Sequence, residues 1–432
     1  MNSDLPIWIM EPEQTEKRDL AAQKVAWGGQ KAANIPETVS IGELKHKIRT
    51  LRENARDNIK SLISELEATL NEKNPKVKVK FASDYVDAVK YITQNSDGAR
   101  TASTNNSATV QELKPELIKN GFTVINSYYH EFTVEEKTIL DYWDLPRLLD
   151  KSLHGTFDVA IKMGGLPDVE TKKYLAVLGV NAISAADGAA FFLEHFSNIY
   201  KDLMKANKVI LIVGLDKIVK TKAEAIFQTL CMGIFGMESV LLGIEPKGVK
   251  PPTIDELSLP AGDKERELHI IILDNGRSRL LDTKFSDLFL CIGCRACNKH
   301  CPIRHSFSNE DYIWTPKTYL NQFVFGIGRS IDVCMHCEAC HIECPVDIDL
   351  PYLMWLAKLD YIAQHGTSFK YKVLGRPEWL ARAGTAFAPI ANLAMHQKIL
   401  RVPMERLVGI DKMATLPRFH FRTFRKRLKK NG

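Results

Sequence analysis

The sequence predicts an α/β domain built on a buried, largely parallel sheet, followed by a smaller helical domain organised by cysteines. Three observations carry this. Short, near-continuous apolar runs alternate with helix-like segments between residues 75 and 275, the pattern of strands buried on both faces. Eight of the nine cysteines then fall between Cys291 and Cys344. The remaining residues, 366–432, have helical periodicity interrupted by Pro377, Pro389, Pro403 and Pro417.

The 432 residues, 45% of them hydrophobic and 25% charged, have the composition of a folded globular chain rather than a disordered or low-complexity one. No apolar run is long enough to cross a bilayer, and residues 1–19 lack a basic stretch followed by a long apolar core. The expected location is therefore cytoplasmic, with a peripheral place at the inner face of the membrane as the variant. A net charge of +6 is too mild to argue for nucleic acid. One cysteine in the first 290 residues excludes a secreted disulfide framework.

Taken in order, residues 1–40 read as polar and irregular, with a short helix around 16–27. From Ile41 to Leu70 apolar residues recur every three or four positions, which predicts one long amphipathic helix ended by Asn74-Pro75. Residues 1–74 thus form an N-terminal helical segment. In 75–275, strands are expected at 77–81, 122–125, 157–161, 209–213, 240–242 and 268–273, and helices at 84–93 and after two capping boxes, Thr109-x-x-Glu112 and Thr221-x-x-Glu224. Residues 247–267 read as a loop before the final strand. Cys231, in an apolar stretch, reads as a buried thiol. Asp274, Asn275 and Arg277 read as a turn where the two domains join. Gly326-x-Gly328 lacks the third glycine of a dinucleotide loop.

The cysteine domain, 286–365, contains CIGCRACNKHCP and CMHCEACHIECP. Both are C-x2-C-x2-C-x3-C-P, the spacing of two-cluster ferredoxins. Three cysteines at two-residue intervals let one loop wrap three corners of a cubane, and the fourth, before proline, reaches the other cluster. Cys291, Cys294, Cys297 and Cys344 are therefore expected to hold one [4Fe–4S] cluster, and Cys334, Cys337, Cys340 and Cys301 the other. Structural zinc prefers separated CxxC pairs. His300, His336 and His341 lie inside these loops as polar residues that tune a cluster at most. Helices expected at 319–325 and 349–363 suit a helical, fumarate-reductase-like cluster domain.

The order LDNGRS (residues 273–278), a short spacer, then CIGCRACNKHCP resembles the lactate-utilisation iron–sulfur proteins of the B type. In these an α/β LUD domain, similar in fold to sugar-phosphate isomerases and CoA transferases, precedes a two-cluster domain. Residues 104–132, 179–192 and 213–221 are similar to further segments of that family. Where the family has Asp-Thr-Gly and a short strand, this chain has Asp187-Gly188-Ala189-Ala190 and then FFLEHFSNIYKDL, which reads as a helix. Residues 388–425 resemble the connector of heterodisulfide-reductase-type and anaerobic glycerol-3-phosphate dehydrogenase subunits. There the connector leads into a cysteine-rich CCG domain, so the resemblance implies a separate CCG-type subunit as partner.

No flavin or nicotinamide motif accompanies the cysteines, so the expected role is an electron-transfer subunit with no catalytic residue of its own. It would work between a flavoprotein dehydrogenase and a CCG-type or quinone-linked acceptor, the resemblance suggesting lactate or a related organic acid. The alternative is a LUD-domain small-molecule enzyme, or a redox-sensing scaffold, with structural clusters. Residues 417–432 carry seven Lys or Arg and no acid, interleaved with Phe419, Phe421, Phe424 and Leu428. A partner subunit, a peripheral membrane contact or plain solvent is the expected neighbour of this tail, not nucleic acid.

Overall fold

A computed structural model describes residues 5–10, 41–73, 77–127, 173–193, 199, 202–203, 206–236, 255–259, 267–299, 301–303, 315–324, 334–367, 369–416, 418–421 and 428–429. The elements expected at 16–27, 157–161 and 240–242, and also His300, Gly326 and Gly328, lie outside them. The chain divides into two compact units, Met1–Trp355 and Leu356–Gly432.

The first unit is built on a six-stranded sheet of β2 (Val77–Ala82), β3 (Thr101–Thr104), β4 (Thr123–Asn126), β5 (Tyr174–Gly179), β8 (Lys208–Gly214) and β11 (Leu268–Leu273). Its order is β2-β11-β8-β5-β3-β4, with every neighbouring pair parallel. Side chains alternate strictly. Tyr174, Ala176 and Leu178 of β5, Val209, Leu211 and Val213 of β8, and Leu268, Ile270 and Ile272 of β11 share one core. Leu175 and Val177, Ile210 and Ile212, and Ile271 and Leu273 share the other. Both faces are dry, so these strands read as unbroken apolar runs. The expected α/β parallel sheet is present.

The first core is closed by α1 (Ile41–Asp57) and α2 (Ile59–Lys73), through Ala55, Ile59, Leu62, Leu66 and Leu70. The expected single helix is thus two, parted at Asn58. There the Asn58 side-chain amide donates to Asn54 O at 2.9 Å, a local bond that competes with the helical ladder. The second core is closed by α3 (Tyr85–Gln94) and by two short helices, α4 (Ala108–Gln111) and α5 (Lys114–Lys119). The Asp84 carboxylate caps α3 by accepting from Asp87 N at 2.8 Å.

Several expectations are corrected. Thr109 and Glu112 form no capping box: Thr109 lies inside α4, whose N-cap is Ser107, and Glu112 is drawn away to Arg277. The box at Thr221 and Glu224 does form and opens α6 (Lys222–Phe235). Residues 5–10 and 255–259, read as irregular, are strands. β1 (Leu5–Met10) and β10 (Asp255–Leu259) join β6 (Ala182–Ser184), β7 (Ala190–Leu193) and β9 (Ile218–Val219) in a mixed sheet ordered β10-β1-β7-β6-β9. The start of FFLEHFSNIYKDL, read as helix, is strand β7. A turn at Gly188 (φ +73°) returns the chain from β6 into antiparallel pairing with it. A short strand therefore follows Asp187-Gly188 here too.

In the second unit, helices span Phe369–Leu374, Pro377–Ala386, Ala388–His396 and Lys398–Val408. Pro377 and Pro389 start helices, where proline removes no bonded N–H. Pro403, expected to break a segment, sits inside a continuous helix. The buried Arg401 donates to the carbonyls of Asp411 at 2.6 Å and Ala414 at 2.7 Å, tying down the turn after that helix. Arg418–Phe421 is not loose tail: Asn392 exchanges two hydrogen bonds of 2.9 Å with the Phe419 backbone. Among the described residues, no helix is long and apolar enough to cross a membrane.

Candidate iron–sulfur centre

After β11 the chain turns at Asp274–Gly276, with Asn275 at φ +45° and Gly276 at φ +82°. Asp274 N and Asn275 N donate to Ala82 O and Ser83 O at 3.0 Å, pinning the turn to the end of β2. Arg277 then enters the interior. Its guanidinium meets Asp216 at 2.6 Å and Glu112 at 2.7 Å. The paired cations hold the buried Asp216 carboxyl well below the usual carboxylate range, against the opposing effect of burial. The turn read from sequence as a junction is therefore an ion-pair anchor. From it a 3-10 turn, Ser286–Leu290, with Leu288, Phe289 and Leu290 buried, delivers Cys291.

The two cysteine loops repeat one backbone conformation. In the first, Gly293 (φ +86°) and Arg295 (φ +61°) are left-handed. In the second the equivalent positions, His336 (φ +51°) and Glu338 (φ +63°), are left-handed too. Such angles cost a non-glycine residue roughly 1 kcal/mol or more and persist where the surroundings impose them. A short helix follows in each loop, Ala296–Lys299 and Ala339–Ile342. The duplicated motif is thus a duplicated turn that aims three thiols inward.

The fourth cysteine of each run lies with the opposite loop. Burial, reinforced by the thiols of Cys334, Cys301 and Cys337, pushes the Cys340 thiol up to about 12. Cys301, Cys334, Cys337 and Cys340 together line one cavity whose other walls are mostly apolar, among them Pro316, Met335 and Met354. Burial also raises the Cys297 thiol, with Cys291, Cys294 and Cys344, and after them Cys340, adding to it. Cys344 is pushed up to about 11, again by burial first, with Cys291 adding and the N–H groups of Ile348 and Val346 opposing. Thiols crowded in this way resist ionisation until a cation takes up their charge. Backbone amides already point at sulfur: His336 N donates to Cys334 Sγ at 3.4 Å and Ile348 N to Cys344 Sγ at 3.3 Å. Such bonds stabilise the charged sulfur of an iron–sulfur centre. The donor set fits two cubanes.

The sequence reading missed the cations that hold these loops. Lys217, buried beside Asp216, donates to Ile292 O at 3.0 Å and Cys291 O at 3.3 Å. Arg52, fully buried on α1, donates to Phe289 O at 3.2 Å and Gln228 Oε1 at 3.1 Å. Burial lowers its pKa to about 10, and the charges of Asp216 and Cys291 oppose the fall. Nearer the start of α1, Arg49 donates to Val346 O at 2.9 Å and Asp347 O at 2.7 Å, and Lys45 to Ile342 O at 2.8 Å. One face of α1 therefore straps both loops. The signal available was an arginine at position 52, in register with the apolar stripe that includes Ile48, Ala55 and Ile59.

Comparison with known proteins agrees with the geometry. The family profile described as "4Fe-4S dicluster domain" matches residues 287–348, which include all eight motif cysteines and imply two [4Fe–4S] clusters. "Lactate utilization protein B 1" of Bacillus mycoides (strain KBAB4) is 27% identical over 143 residues, 32% of this chain and 27% of that protein. The chain is a distant homologue of lactate utilization protein B. The Bacillus pumilus (strain SAFR-032) protein of that name is 28% identical over 144 residues, 32% of this chain and 28% of its own length. That of Bacillus cereus (strain AH820) is 22% identical over 202 residues, 46% and 38% respectively. The matches thus span less than two fifths of these relatives. No solved structure matches the chain significantly.

Proposed function

We propose that this chain is the iron–sulfur electron-transfer subunit of a multi-subunit oxidoreductase. It relays electrons between a flavoprotein dehydrogenase and a CCG-type or quinone-linked acceptor, in the oxidation of lactate or a related organic acid. The observation that carries this reading is the interleaving of the two cysteine runs, Cys301 among Cys334, Cys337 and Cys340, and Cys344 beside Cys291 and Cys297. Shared runs keep two centres adjacent, as a relay requires. In this reading Cys291, Cys294, Cys297 and Cys344 hold the first cluster, and Cys334, Cys337, Cys340 and Cys301 the second. When bound, the clusters supply one-electron exchange.

The chain's own residues distinguish the two ends. The first loop rests on the buried cations Lys217 and Arg52. The second is open: Cys337 is exposed and Met335 is 67% exposed. A docking partner therefore meets the second loop. In the second unit Trp379, Phe387, Ile390 and Ile399 are exposed, which suits a further subunit contact.

The test is anaerobic. The protein is isolated with its native partners, lactate is added, and cluster bleaching is followed. Reduction in the complex and none in the isolated chain is expected. Lactate oxidation by the isolated chain contradicts the reading.

A further inference from the structure

The six-stranded sheet has a topological switch point between β3 and β5. From β3 the chain runs to β4 at one edge. From β5 it runs through β8 and β11 toward the other. Loops that leave such a point in opposite directions open a crevice beyond the carboxyl ends of the strands, where α/β proteins bind their ligands. Here that crevice exists. Asn105, Asn106 and Ser107 follow β3, Asn181 follows β5 and Lys217 follows β8, while Arg295 enters from the first cysteine loop.

The crevice is built, not incidental. The Asn105 side chain donates to Gly179 O and accepts from Gly179 N, both at 2.9 Å, locking the loop after β3 against the end of β5. A Cβ on Gly179 would lie 2.3 Å from Ser107 Oγ, so any side chain there would push Ser107 aside. The Arg295 guanidinium bonds to Asn106 O. Lys217 Nζ stands where a Cβ on Gly293 would lie 3.2 Å from it, at the crevice wall.

The charged lining has one sign. Lys217 and Arg295 are its ionic side chains, and no acidic residue lines it among the described residues. Asp216 is shared, its Oδ1 meeting Arg277 at 2.6 Å and its Oδ2 meeting Lys217 at 3.2 Å, so Arg295 carries the positive charge the crevice has left for a ligand. The asparagines and Ser107 add neutral donors. The opposite wall, including Leu193, Ile199 and Met232, is apolar. Cationic and amide donors facing a short apolar wall select a small anion with a carbon body.

We propose that this crevice binds a small organic carboxylate, with the carboxylate against Arg295 and the carbon chain against Leu193, Ile199 and Met232. The anion lies against Ile292 and Gly293, which also line the crevice. The inference stands on the crevice alone and is independent of the electron-transfer reading.

The test is calorimetric titration of the anaerobic holoprotein with pyruvate and with butyrate, and separately with inorganic phosphate. Two variants accompany it. Arg295→Gln removes one cation, and Ala108→Leu narrows the crevice without touching a charge. Iron content is measured on both, so that a variant that loses its clusters is set aside and the other decides. Saturable binding of a carboxylate at one site per chain, weakened about tenfold or more in the iron-replete variant, is expected. Binding of neither carboxylate, tighter binding of phosphate, or undiminished binding in an iron-replete variant overturns the proposal.

Discussion

Arg277 shows how much a single side chain carries here. It joins Glu112 from the loop after α4, Asp216 from the loop after β8, and the carbonyl of Asp274 in its own turn. Arg277→Met leaves Asp216 buried beside Lys217 alone and Glu112 without its partner. Breaking a buried pair from one side costs about 3–5 kcal/mol, and that loss is expected in urea unfolding. Glu267 has the opposite setting, at the surface. Hydrogen bonds from Lys208, Lys78 and His269 hold its carboxyl down at about 2. Its folded pKa lies below the unfolded value of about 4.3, so its contribution to stability is complete above that pH and is lost as pH falls toward 2. The urea midpoint is expected to fall between pH 5 and pH 3 in the wild type, and to fall less in Glu267→Gln. Equal slopes would remove Glu267 from the account.

Among the elements, α6 offers the cleanest test of local capping. Thr221 Oγ1 accepts from Glu224 N at 3.3 Å, and the Glu224 carboxylate accepts from Lys220 N and Thr221 N. Thr221→Ala is expected to cost about 1 kcal/mol, read as a lowered thermal midpoint with unchanged iron content. At the end of β5, Gly179→Ala forces the Ser107 side chain aside and is expected to cost about 1–3 kcal/mol. The same elements show what could be read in sequence. β8 and β11 were legible because dry parallel strands leave unbroken apolar runs. β3 was not: TAST is polar. It is buried because Ser103 bonds to Asp202 and Thr104 donates to Ile125 O at 3.1 Å, partners that no local pattern announces. β5 was missed because a six-residue apolar run has no period that separates strand from helix. β1 and β10 pair across some 250 residues, Leu5 opposite Leu259, beyond any local signal. At the centre, both cysteine runs were fully legible because their spacing is local. The cations beneath them were not, because Arg52 and Lys217 reach the first loop only after folding.

Over the whole molecule, eight irons per chain are expected. Removal of residues 422–432 is expected to leave that number unchanged, since no cysteine follows Cys344, and to weaken partner binding in a salt-dependent way. Unchanged partner affinity would return that basic segment to solvent. The central claim is that two clusters sit side by side, each completed by a cysteine from the other's run. Electron paramagnetic resonance of the fully reduced protein tests it most directly. Two spins per chain, with the broadened lines of magnetic interaction between near neighbours, are predicted. One spin per chain, or two spectra that add without interaction, would contradict it.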